Sequence, residues 1–191
     1  MTITPAPAPG GPAPLDDATR DRLADLARAR GRLWAGAADL LAGSPTVGEH
    51  LRSGGVPAPW RAGTAPFAGQ TPSADQALLV LEAHARAARR RPAEHDARAL
   101  ADAYSRVALP SADDAHAARR VADLCAREAA AWADGDMDGA RAARVAQVPI
   151  VSGRLHDRLW TVGYALAQTG RPVWRALGTL VQTFVAVERG R

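Results

Sequence analysis

The chain has 191 residues, of which 47% are apolar, so it is long enough to bury one core without disulfides or structural metals. It contains no lysine, and a formal net charge of +4 is too small to identify a nucleic-acid-binding protein. Its one cysteine, Cys125, excludes an intramolecular disulfide and zinc sites of the finger type. No apolar run approaches the roughly 20 residues that cross a bilayer. We therefore expect a soluble protein of a reducing cytoplasm.

The N-terminal segment, residues 1–14, alternates proline, alanine and glycine and has neither the basic nor the apolar part of a secretory signal. Such a composition cannot bury a core, which predicts a disordered tail. The remaining residues, 15–191, are predicted to form a single helical domain.

The first helix is predicted to begin at Asp16 or Asp17, an acidic N-cap, and to end near Gly43. A connection rich in proline and glycine follows at residues 45–72, in which only a short helix over Val47 to Arg52 fits the pattern. We expect the rings of Trp60 and Phe67 to anchor this connection to the body of the protein.

Later helices are indicated by capping residues, prolines and heptad spacing. Ser73 with Gln76 forms a capping box, Ser111 with Asp114 begins a longer helix, and Gly170 ends another. Alternating strand patterns of useful length do not occur. The predicted fold is all-α, an antiparallel bundle of about five to seven helices; after residue 72, helices are expected over 73–91, 92–109, 111–133, 136–149, 155–170 and from 172 onward.

The segment Asp134-x-Asp136-x-Asp138-Gly139 resembles the start of a calcium-binding loop. Val145 stands at position twelve, where a bidentate glutamate is needed, so we interpret Asp136 as a helix cap instead. Residues 40–52 resemble part of a helix-turn-helix, but Gly43 is too close to the following helix for that motif.

Catalytic and metal-binding patterns are weak. Only Asp113 and His116 have the three-residue offset of a helical metal site, and no HExxH occurs. Cys125 falls on an apolar stripe and is expected to be buried rather than reactive. Phosphate-binding glycine loops and Rossmann fingerprints are absent. We therefore predict no cofactor and no metal, and an enzymatic function is not favoured.

The C-terminal third is basic. From Gly139 onward, eight arginines stand against Asp157 and Glu188, an excess of +6. Aromatic residues are interleaved with these arginines, a pattern that suits phosphate contact and stacking. The candidate interaction surface comprises Arg154, Arg158, Trp160, Arg171, Trp174 and Arg175.

Two functions remain open on the sequence. Heptad spacing and many small alanine positions favour a non-enzymatic interaction protein that docks onto a protein partner or a second copy of itself. The alternative is an accessory protein associated with nucleic acid through the arginine-rich C-terminal third.

Overall fold

The computed structural model describes residues 15–53, 55–64, 72–88 and 93–189. The helices have the following bounds: α1 Asp17–Leu41, α2 Pro45–Arg52, α3 Ala58–Thr64, α4 Pro72–Ala88, α5 Ala93–Arg106, α6 Ala112–Ala133, α7 Met137–Ile150, α8 His156–Ala167 and α9 Pro172–Arg189. Val151–Leu155, called here the π-helical segment, joins α7 to α8 and contains a kink at Gly153, where the backbone is not helical (φ −81°, ψ −150°). The all-helical prediction is confirmed for these residues. The helices outnumber the predicted five to seven because the 45–72 connection itself holds two short ones, α2 and α3.

Three helices begin at the caps that the sequence predicts. Asp16 Oδ1 accepts a hydrogen bond from the Thr19 amide at 2.7 Å. Ser111 Oγ accepts one from the Asp114 amide at 3.3 Å. Asp136 accepts one from the amide three residues later, at 2.9 Å. Each bond satisfies a backbone donor that the first turn leaves without a partner, which explains why α1, α6 and α7 begin where they do.

The centre of the bundle is the antiparallel pair α1 and α6. At one end, the Ser111 amide donates to the Leu41 carbonyl at 3.0 Å. At the other end, Gly135 lies against the guanidinium of Arg20. Between them, a Cβ on Gly31 would meet Cys125 Cβ at 3.3 Å, so small residues allow the two backbones to approach closely.

A second antiparallel pair, α8 and α9, is joined by a turn at Gly170, whose φ of +70° suits glycine. Gly163 of α8 and Gly178 of α9 face one another where the helices cross. A Cβ on Gly178 would overlap the Gly163 carbonyl and would lie 2.8 Å from the Ala167 amide nitrogen. Neither glycine position has room for a side chain.

The 45–72 connection is anchored by Trp60, which is fully buried. Its indole lies against Gly36 of α1 and meets the Phe184 ring of α9 edge-on, with centroids 6.2 Å apart. The anchoring role predicted for Trp60 is therefore confirmed. Phe67, the second predicted anchor, lies outside the described residues, as does the 1–14 segment.

Not one of the described helices combines the length and the apolarity that a bilayer span requires.

We predict that Gly178→Ala destabilises the protein by about 1–3 kcal/mol, because its methyl group meets backbone atoms of α8 that cannot move independently. This loss outweighs the gain of about 1 kcal/mol that alanine normally gives inside a helix. Urea unfolding followed by circular dichroism measures the change. Gly55→Ala is the control, since its nearest contact would be an ordinary 3.6 Å, and an equal loss in both variants would contradict the packing argument.

Candidate functional site

An open groove lies between α1, α7, the π-helical segment, α8 and α9. Its deeper part has a volume of about 380 Å³ and continues into a shallower depression that contains Trp160 and shares three lining residues with it. The residues that line the deeper part include Arg30, Arg144, Gln147, Val148, His156, Asp157, Glu188 and Arg189. We call the two parts together the α7–α9 groove.

The floor of the groove is a network of buried polar side chains around Arg30. Its Nε and Nη2 donate to the two carboxylate oxygens of Glu188, each at 2.8 Å. Nη2 also donates to Gln147 Oε1 at 2.8 Å, and Nη1 donates to Glu128 Oε2 at 3.1 Å. Trp34 Nε1 completes the set with a 3.2 Å hydrogen bond to Glu188. The network therefore joins α1, α6, α7 and α9.

Electrostatics within this network favour the ionised forms. Burial opposes ionisation of Glu188, but the hydrogen bonds and charge of Arg30 outweigh it, and the pKa of Glu188 lies below its ordinary value. Burial likewise disfavours the charged form of Arg30, and the contacts with Glu188 reverse that effect and raise its pKa. Arg144 adds a further favourable charge near Glu188. Glu188 and Arg30 are thus both charged at neutral pH.

Cys125 lies beside the same network. It is fully buried, and its thiol is 3.5 Å from Gln147 Oε1. Burial raises the pKa of this thiol to about 12. A thiol with such a pKa is protonated at neutral pH and is a poor nucleophile, as its position on the apolar stripe predicts.

Exposed apolar side chains flank the groove. Val145 and Val148, one turn apart on α7, are 62% and 56% exposed. On α8, Trp160 and Tyr164 are 45% and 57% exposed. Val148 and Trp160 line the groove itself, and the other two extend the apolar surface by one helical turn on each side. Apolar side chains that cluster at one groove in this way are typical of a surface that a partner covers.

One wall of the groove, the π-helical segment, is held in place by Asp114 of α6. Its carboxylate accepts from Arg154 Nη2 at 2.9 Å and from Arg158 Nε at 3.0 Å. Arg158 also donates to the Ala108 carbonyl at 2.7 Å. Burial opposes the charge of Asp114, but the bond with Ser111 and the two guanidinium groups lower its pKa. Asp114 thus fixes both the segment and the start of α8.

The structure does not bring the six predicted surface residues together. Arg154 and Arg158 are tied to Asp114, and Trp160 lies at the groove. Arg171 lines a separate cavity beside α5, and Arg175 lines another beside α4.

Trp174 requires a correction. It is fully buried in the core, so its indole is not available to a partner at the surface. The reason is its position on α9, between core residues Val173 and Leu177, where a large ring fills space rather than facing solvent.

The sequence did not indicate the four polar residues that form the floor of the candidate site: Arg30, Glu128, Gln147 and Glu188. A signal existed for Arg30, because it lies four residues after Leu26 and three before Leu33, on the apolar stripe of α1. A charged residue in such a stripe indicates a buried partner. The partners themselves are far away in the chain, however: Glu128, Gln147 and Glu188 lie 98, 117 and 158 residues from Arg30. Among the described residues, no group of three or more histidine, cysteine or acidic side chains is arranged to hold a metal ion.

Comparison with known proteins gives no match: no protein-family model, no curated protein and no solved structure is similar to this chain.

We predict that Arg30→Met lowers the free energy of unfolding by about 3–5 kcal/mol, because Glu128 and Glu188 lose their buried counter-charge. Urea unfolding measures the loss. Arg32→Met changes an exposed arginine on the same helix and should stay within about 0.5 kcal/mol of the parent protein. Comparable losses in the two variants would contradict the buried role of Arg30.

A second prediction concerns pH. Because folding lowers the pKa of Asp114, its charge stabilises the folded state above the unfolded-state pKa of about 3.9, and this contribution is lost as the pH falls through the folded-state value. Asp114→Asn should therefore cost about 1–3 kcal/mol at neutral pH and progressively less below about pH 4. Unfolding free energies measured from pH 7 downward test this. Asp113→Asn is the matched control, since this exposed neighbour forms neither of the two ion pairs that Asp114 makes. A pH-independent deficit in Asp114→Asn, or an equal deficit in both variants at neutral pH, would refute the explanation.

Proposed function

We propose that this chain is a non-enzymatic interaction protein that binds a segment of a protein partner in the α7–α9 groove. The observation that carries the proposal is the pairing of a groove whose floor joins four helices with exposed apolar side chains on both of its flanks. A firm floor reduces the entropy that binding costs, and the exposed side chains supply apolar area for the partner to cover.

A polypeptide fits this surface better than a small molecule does. The deeper cavity, about 380 Å³, lies within the range of small-ligand sites. However, Val145 and Tyr164 lie beyond the lining of the two cavities, and only an extended partner covers them together with Val148 and Trp160. The groove therefore suits a helix or strand of a partner with apolar residues along one face.

Arginine at the mouth of the groove indicates the charge of that partner. Arg144 and Arg189 line it, and Asp157 is the exposed acidic residue beside them. Neither arginine forms an ion pair within 4.0 Å among the described residues, which leaves two guanidinium groups for carboxylates of the partner.

Nucleic-acid association through the C-terminal third has less support. Two of the predicted arginines, Arg154 and Arg158, already share the carboxylate of Asp114. The buried Trp174 is not accessible for stacking on a base.

The proposed place of action is the cytoplasm, since the protein's one cysteine is a free, buried thiol.

Site-specific photo-crosslinking in cells that express the full chain tests the proposal. A photoreactive phenylalanine derivative replaces Val148 in the groove or, as a matched control, Leu79 of α4, which is 64% exposed and lies outside the groove. We expect a discrete crosslinked product from the Val148 position alone. Its partner is then identified by mass spectrometry and its affinity measured with the purified proteins.

The added variant Trp160→Asp should abolish this product and weaken the measured affinity by at least about tenfold, because it removes an aromatic anchor and adds a repelling carboxylate. A product of two identical chains would mean that the groove binds a second copy, which light scattering of the purified protein confirms independently. No discrete product, or the same products from Val148 and Leu79, would refute the proposed function.

A further inference from the structure

A second site lies outside the α7–α9 groove, where α5 meets the turn between α8 and α9. It is a cavity of about 230 Å³ lined by Arg98, Asp102 and Arg106 of α5 and by Thr169 and Arg171 of the turn. Three guanidinium groups from two parts of the chain thus border one small space. Spacing along α5 explains two of them, because residues four and eight apart lie on one helical face. The third, that of Arg171, is brought to the cavity by the fold, which places the α8–α9 turn beside α5.

Charge in this cavity is unbalanced. Three arginines face one carboxylate, that of Asp102, which leaves an excess of +2. Within the described part of the chain, none of the three arginines forms an ion pair within 4.0 Å, with Asp102 or with any other acid. Helix dipoles do not attract an anion here, because two helices end near the cavity, α5 at Arg106 and α8 at Ala167, and one begins there, α9 at Pro172. Side-chain charge therefore dominates the local field.

The turn holds Arg171 in position. The Arg171 amide donates to Thr169 Oγ1 at 3.3 Å, and that hydroxyl donates to the Leu166 carbonyl at 2.9 Å. Gly170, between them, adopts a φ of +70°. This bonding fixes the backbone of Arg171 at the rim of the cavity, so less ordering is required when its guanidinium takes a ligand.

We propose that this cavity binds a phosphate group. Guanidinium groups bind phosphate oxygens through paired, charge-assisted hydrogen bonds, and three of them around one cavity match a dianion that neutralises the excess of +2. The space of about 230 Å³ admits the phosphate group and part of whatever carries it. The site is independent of the groove, so the proposed docking function and phosphate binding can fail separately.

Inorganic phosphate is the probe. Calorimetric titration of the full chain, and thermal unfolding in phosphate against chloride at equal ionic strength, measure its binding. We expect saturable binding and a higher melting temperature in phosphate, since a ligand of the folded state stabilises it. No saturable binding at concentrations up to about 20 mM, together with equal melting temperatures in the two salts, would overturn the proposal.

Substitutions in and near the cavity should change the affinity for phosphate in different directions. Arg171→Gln should weaken phosphate binding about tenfold, because it removes one charge-assisted pair. Asp102→Asn removes the repelling carboxylate and should strengthen binding about threefold. Arg175→Gln, in the first turn of α9 and lining a different cavity, should leave the affinity within about twofold. Arg106→Gln serves in place of Arg171→Gln if circular dichroism shows that the latter fails to fold. Equal effects of Arg171→Gln and Arg175→Gln would show that binding follows overall charge and would overturn the site.

The source of the phosphate group is distinguished by competition. O-Phosphoserine that displaces inorganic phosphate would support a phosphomonoester ligand. A DNA duplex of about 20 base pairs is tested in the same way. If it binds, is displaced by phosphate and binds more weakly to Arg171→Gln, the result would support the same site with nucleic acid as the source of the phosphate. Duplex binding that Arg171→Gln leaves unchanged, without any phosphate binding, would overturn the proposal and place nucleic-acid contact elsewhere.

Discussion

The buried guanidinium of Arg30 is the constraint on which the arrangement of the bundle depends. Its donors require acceptors on three other helices, supplied by Glu128, Gln147 and Glu188. A shift of one turn, about 5.4 Å, in any of these helices would separate a buried donor from its acceptor. The apolar contacts of α1 tolerate such shifts far better, because they are non-directional and its face is rich in alanine. The polar network therefore fixes the register that the small residues alone leave open.

This constraint has a functional consequence because the network is also the floor of the groove. Compared with well-packed apolar side chains, a buried ion pair contributes little net stability, since desolvation offsets most of its attraction. What it contributes here is position: α7 and α9, which carry Gln147 and Glu188, are held at a fixed separation from α1. Val148 on α7 consequently lies at the part of the groove above this network, and Trp160 on α8 lines the adjoining depression. A groove held in this way presents one shape to a partner rather than many.

Local signals account for the part of the fold that the sequence predicted. The caps at Asp16, Ser111 and Asp136 act within four residues of chain, so their effect can be read without knowing the tertiary structure. The short helix α3 was missed because its seven residues carry no helical period; burial of Trp60 against α1 stabilises it instead. The Arg30 network was missed for a related reason. Its members are far apart in sequence, and only packing of the helices brings them together.

The predicted C-terminal surface shows why charge summed along a chain differs from charge presented to a partner. The excess of +6 from Gly139 onward is correct as a count, but Arg154 and Arg158 both pair with Asp114, an acid that lies outside the segment counted. Conversely, Arg98 and Arg106 lie far outside that segment, yet the fold places them beside Arg171. Tertiary structure thus removes positive charge from one place and concentrates it in another. The place at which three arginines outnumber the one described acid follows from the packing of α5 against the α8–α9 turn, and no count along the chain contains that contact.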